Sequence, residues 1–268
     1  MLQIANEHFV ITAAHVEKLM RKLAQEHGIG TWLSAKLDDK ELVPLQRLPS
    51  RVLTVDEQLD VCVMKLENKD AKDLELAGAR FLRLSQTNPH DQPEKNGWYL
   101  LMGLIASDQG AIDQGIRNGI PHFTLETSVF AYLTLPFEPV EDVLDYNARA
   151  HRALKYPNTG SLGENGEPMN QPDPRGLSGS GVWRITDDRD SILGLRSDNL
   201  NLAERARLMG IQFSAHPKKG YVKVTRFYVV LDLIRKQWPE LDRLIQLSMY
   251  PAPPPIIQVV KPTILHRG

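Results

Sequence analysis

Apolar residues in this chain come in short runs. Stretches such as residues 98–102 and 227–231 are five residues long, and the 18 glycines and 18 prolines fall between runs of this kind. That punctuation suits many short strands joined by turns, because Gly and Pro supply turn dihedrals and interrupt helices. A membrane-spanning helix needs ~20 consecutive apolar residues and is not expected. Strands are expected over residues 2–4, 8–12, 31–37, 59–66, 81–84, 98–105, 123–135, 181–185, 208–213 and 221–224. Two segments show helical spacing instead: residues 16–26, with Val16, Leu19, Leu23 and Ala24 on one face, and residues 227–247, with Val230, Leu231, Ile234, Trp238, Leu241, Leu244 and Ile245. Pro239 is expected to kink the second or divide it.

At 268 residues the chain is long enough to bury ~70–75% of its unfolded surface, as one large domain or two halves with a shared interface. A polar, turn-rich stretch over residues 85–97 reads as the linker between two β halves. The expected organisation is residues 1–88, residues 89–247 and a proline-rich tail over 248–268. In that tail a polyproline spacer, 251–255, precedes a strand-like segment, 256–260. Basic and acidic side chains number 32 and 33, so no polyanion-binding surface is expected. The single cysteine, Cys62, excludes an intramolecular disulfide and any multi-cysteine metal site. With no secretory leader pattern near Met1, a reducing, cytoplasmic setting is expected. No paired-histidine metal motif and no phosphate loop occur, so neither metal nor cofactor is expected.

Three segments carry the residue types of a serine nucleophile, its base and the acid that orients the base. Residues 10–16, V-I-T-A-A-H-V, end a strand on His15. Residues 59–66, L-D-V-C-V-M-K-L, begin an apolar strand with Asp60. Residues 176–183, G-L-S-G-S-G-V-W, set Ser178 in a glycine frame that runs into a strand. Each is commonplace alone: a strand-end histidine is usually structural, and a glycine-serine turn is usually only a turn. Asp56 and Ser180 are the nearest rivals of Asp60 and Ser178.

Together, and in this order, the segments resemble those of the trypsin-like (chymotrypsin-fold) serine peptidases. Downstream, residues 210–214 resemble the strand flanking that family's specificity pocket and 220–224 its last barrel strand. The resemblance implies an all-β fold of two six-stranded-type antiparallel barrels followed by a C-terminal helix. Only fourteen residues precede His15, so the first barrel is expected to lack a strand, leaving an open edge at residues 2–4; the tail segment 256–260 is either a strand that pairs along it or a flexible tail for another partner. His15, Asp60 and Ser178 would be the catalytic residues, with the amides of Gly176 and Ser178 as the oxyanion hole. Phe213, Ser214 and Ala215 would bind substrate backbone, with Asp173 or His216 at the pocket mouth favouring basic or acidic side chains respectively. Leu177 stands where the digestive members carry an Asp, so their activation switch is absent. The implied activity is that of a regulated intracellular serine endopeptidase acting on protein or peptide, without nucleic acid or membrane partners. The alternative is a catalytically silent module that binds a peptide in the same cleft.

Overall fold

The computed structural model describes residues 1–27, 53–76, 78–89, 97–104, 110–117, 120–126, 129–138, 146–157, 161–162, 168–169, 172–185 and 206–249. The strand expected over 31–37 and the tail from 250 onward lie outside them. The described chain is mostly β, with two antiparallel-rich sheets of five and six strands and four helices.

The first sheet comprises β1 (Leu2–Ile4), β2 (Glu7–Thr12), β3 (Leu53–Asp56), β4 (Val61–Leu66) and β5 (Leu82–Arg83), in the order β3-β4-β2-β1-β5. Strands β2 and β4 carry apolar residues on both faces because both faces are covered. Phe9 and Ile11 of β2, with Val61 and Val63 of β4, enter one core. Val10, Cys62, Met64 and Leu66 point the other way and meet Ala71 and Leu74, a pair three positions apart on helix α2 (Asn68–Leu76). Helix α1 (Ala14–His27) follows directly on β2. The edge expected to stand open at residues 2–4 is occupied: β5 pairs in parallel with Leu2 and Gln3, and Leu82 N donates to the Met1 carbonyl at 3.1 Å. A later piece of the first sheet's chain therefore pairs with this edge, for which the tail was one of the candidates.

The second sheet is built from β6 (Trp98–Leu104), β9 (Val129–Thr134), β10 (His151–Lys155), β13 (Gly181–Ile185), β14 (Ala206–His216) and β15 (Tyr221–Arg226), in the order β10-β15-β14-β13-β6-β9. Two hairpins stand apart from it: β7 (Gly110–Arg117) with β8 (Ile120–Glu126), and β11 (Ser161–Leu162) with β12 (Pro168–Met169). Thus the single strand expected over 123–135 is two, belonging to different sheets. Tyr99, Leu101, Val182, Met209, Val222 and Val224 share one core on the inner face.

Helix α3 (Phe227–Gln237) presents Phe227, Val230, Leu231 and Ile234 on one stripe. It ends at Trp238, where Pro239 opens a short 3-10 turn before α4 (Asp242–Met249), so the proline divides the helix as expected. The stripe packs on Leu2, Ile4, Phe9 and Ile11 from the first sheet and on Leu208 and Ile211 from the second, and Trp238 meets Phe9 edge-to-face at 5.1 Å. Each such side chain stabilises by ~1.5–3 kcal/mol on burial, so this shared core holds the two sheets together. The start of the expected linker adds to it: Thr87 bridges to Leu208, and Asn88 N donates to the Leu208 carbonyl at 2.7 Å.

Candidate active site

His15 stands in the first turn of α1, three residues past the end of β2, with half its side chain exposed. Asp60 closes the turn between β3 and β4 with φ of +52°, a left-handed conformation that aspartate tolerates better than most residues. Asp56, the rival acid, shapes this turn by accepting from Leu59 N at 2.9 Å. The Asp60 carboxylate meets His15 twice. One oxygen accepts the His15 backbone N–H at 2.9 Å and the other lies 2.6 Å from Nδ1. An ionised carboxylate only accepts, so with Asp60 ionised Nδ1 carries the proton and the neutral ring presents Nε2 as an acceptor.

Ser178 lies in a tight turn before β13, between Gly176 at φ +98° and Gly179 at φ +88°. Most of the turn's amides are in use. Leu177 N donates to the Pro174 carbonyl at 3.1 Å, Gly179 N to that of Gln212 at 2.8 Å and Ser180 N to that of Leu177 at 2.9 Å. The amides of Gly176 and Ser178 have no acceptor among the described residues. Between them the fully buried Leu177 side chain anchors the turn in the core of the second sheet. The Ser178 hydroxyl donates to the Phe213 carbonyl across 3.4 Å, a long hydrogen bond for O–H···O, and among the described residues it makes none with His15.

Gly179 brings the serine turn against the strand that delivers the histidine. A Cβ added there would overlap Thr12 Oγ1 and come within 3.6 Å of Ala13 N. The acid's turn is tied to the second sheet as well, through Thr225 Oγ1, which donates to the Leu59 carbonyl at 2.8 Å.

β13 pairs with β14 only as far as Ile211, whereas β15 follows it to His216 on the other side. The side facing the serine turn at Phe213, Ser214 and Ala215 therefore has no strand partner among the described residues. Phe213 sits in a bulge, its ring between the Lys223 ammonium at 5.0 Å and the His151 ring at 4.9 Å. His216 stacks on Tyr221, and its Nε2 is 3.3 Å from Ser214 Oγ. Burial, with Lys223 and Lys219 nearby, holds its imidazole below the ordinary histidine range. Asp173, placed by the resemblance at the pocket mouth, has a basic neighbour. It is exposed and its carboxylate accepts from Arg175, which holds it below the usual carboxylate range, so a basic neighbour already matches its charge. Burial pushes the Cys62 thiol up to about 12, as suits a core side chain rather than a reactive one.

The structure thus joins His15 to Asp60 by hydrogen bonds, leaves the amides at Gly176 and Ser178 without an acceptor among the described residues, and places Ser178 beside Phe213. The sequence did not reveal Thr12, Gln212 and Thr225 as parts of this neighbourhood. Gln212 alone left a signal, a polar residue in an apolar run. It is 1% exposed, and its Oε1 has no partner among the described residues. No family model, curated protein or solved structure matches the chain.

Proposed function

We propose that the chain is a serine endopeptidase that cleaves peptide bonds through an acyl-enzyme. One observation carries the reading: a serine whose own amide and that of Gly176 have no acceptor among the described residues lies in a turn packed against the strand end that delivers an aspartate-bound histidine. In this reading the two sheets are two β-barrels. Support for closure of the second comes from beyond β9, where Phe137 N donates to the Ala153 carbonyl at 3.0 Å and Lys155 N to that of Leu135 at 2.9 Å, bringing the sheet's ends together.

Substrate enters as an extended strand along Phe213, Ser214 and Ala215. His15 Nε2 takes the Ser178 proton as the hydroxyl oxygen attacks the carbonyl carbon, and the oxyanion forms against the Gly176 and Ser178 amides. Asp60 holds the imidazolium. His15 then hands the proton to the departing amine, and water repeats the sequence to free the acyl group.

The second reading, a binding module with a silent site, is favoured by one feature: the Ser178 hydroxyl bonds to Phe213 and not to His15. Uncomplexed serine sites are often loose in this respect. A fluorophosphonate probe decides between the two. Stoichiometric labelling that Ser178→Ala abolishes is expected for the peptidase, and absence of labelling in the folded wild type would leave the binding module.

A further inference from the structure

Asp60 reaches His15 from a turn whose own bonds are few. The Leu59 carbonyl belongs to the peptide plane immediately before Asp60, so whatever holds that oxygen sets one side of the rotation that gives Asp60 its φ of +52°. The other side is set by Val61, which is already paired with Asp56 in the first sheet.

We propose that Thr225 is a positioning residue that aims the Asp60 carboxylate by holding the Leu59 carbonyl. Its hydroxyl donates to that oxygen at 2.8 Å across 166 positions of sequence, and it makes the only side-chain hydrogen bond from the second sheet to this turn among the described residues. The donor is well fixed. Thr225 is fully buried, and its backbone is paired on both sides, with His151 of β10 and Ile211 of β14. An element of the nucleophile's half thereby orients the acid of the other half, and a shift of the Leu59–Asp60 plane would turn the carboxylate away from Nδ1.

The inference rests on the peptidase reading for its catalytic meaning but not for its geometry, so two readouts are needed. The proton shared by His15 Nδ1 and Asp60 at 2.6 Å should give a far-downfield NMR resonance, whether or not Ser178 reacts. The rate of fluorophosphonate labelling reports catalysis. Thr225→Ser keeps the donor and should preserve both. Thr225→Val keeps the shape and removes the donor, and should shift or broaden the resonance and slow labelling by ~10- to 100-fold. Thr225→Ala serves in its place if the valine variant does not fold. A folded Val or Ala variant with an unchanged resonance and labelling rate would overturn the proposal, even with a lowered melting temperature, since that is the signature of a purely structural residue. If the wild type is not labelled at all, the peptidase reading fails while the resonance still judges Thr225.

Discussion

Asp60 combines two demands at one position, a left-handed backbone and an acceptor for both His15 N–H groups. Asparagine meets the first as well as aspartate does, so Asp60→Asn separates conformation from charge. The variant should fold normally, while fluorophosphonate labelling slows by about 10³- to 10⁴-fold because the amide no longer selects the Nδ1–H tautomer. Labelling within a few-fold of wild type would remove Asp60 from the catalytic set. His216 gives a pH prediction with a definite sign. Its folded-state imidazole lies below the ordinary histidine value of 6.5 because burial, then Lys223 and Lys219, disfavour the charge. The unfolded chain therefore takes up that proton first as the pH drops, and stability is full above 6.5 and declines from there through the lowered folded value. Thermal melts of wild type and His216→Gln between pH 7.5 and 5 should show the shallower decline in the variant. At this scale the sequence was informative where chemistry is local. Residues 10–16 and 176–183 carried His15 and Ser178 in recognisable frames, whereas Thr225 and Leu59, 166 positions apart, have no local signature of their contact.

Elements were legible where one periodicity dominated. β13 coincides with its expected span, and α3 and α4 follow the apolar stripe with the division at Pro239. Strand β10, H-R-A-L-K, has no such pattern. It becomes a strand because five successive residues pair with β15 and four of them are buried, a decision made by tertiary contacts. Helix α2 escaped notice because its buried apolar residues are only Ala71 and Leu74, amid charged neighbours. Strand β3 was hidden by its brevity, four residues recruited to the edge of β4. The packing of α3 yields a measurable expectation. Ile234 is fully buried where the helix meets both sheets, so Ile234→Ala should cost ~2–5 kcal/mol in chemical denaturation. The loss should appear as one cooperative transition. A separate early transition of the first sheet would show that α3 does not couple the halves.

Over the whole molecule, the described parts of the two sheets meet at a covering helix, at Thr87 and Asn88, at Thr225 and at the bare Cα of Gly179. The last is the most sensitive to added bulk. Alanine at 179 would hold φ of +88° against its preference and drive a methyl into Thr12, so Gly179→Ala should destabilise by ~1–3 kcal/mol. Labelling of Ser178 should fall in the folded protein too, because the overlap pushes the turn that carries Ser178 away from the strand end that carries His15. Unchanged melting and labelling would mean that the halves separate freely at this point. The helix that binds them has a consequence in time. β1 and β2 leave the ribosome before the second sheet, yet Leu2, Ile4 and Phe9 find their cover in residues near 230–245, far later in the described chain. These two strands must wait with an apolar face exposed while the second sheet is synthesised, the kind of transient exposure that favours aggregation over folding until α3 and α4 emerge.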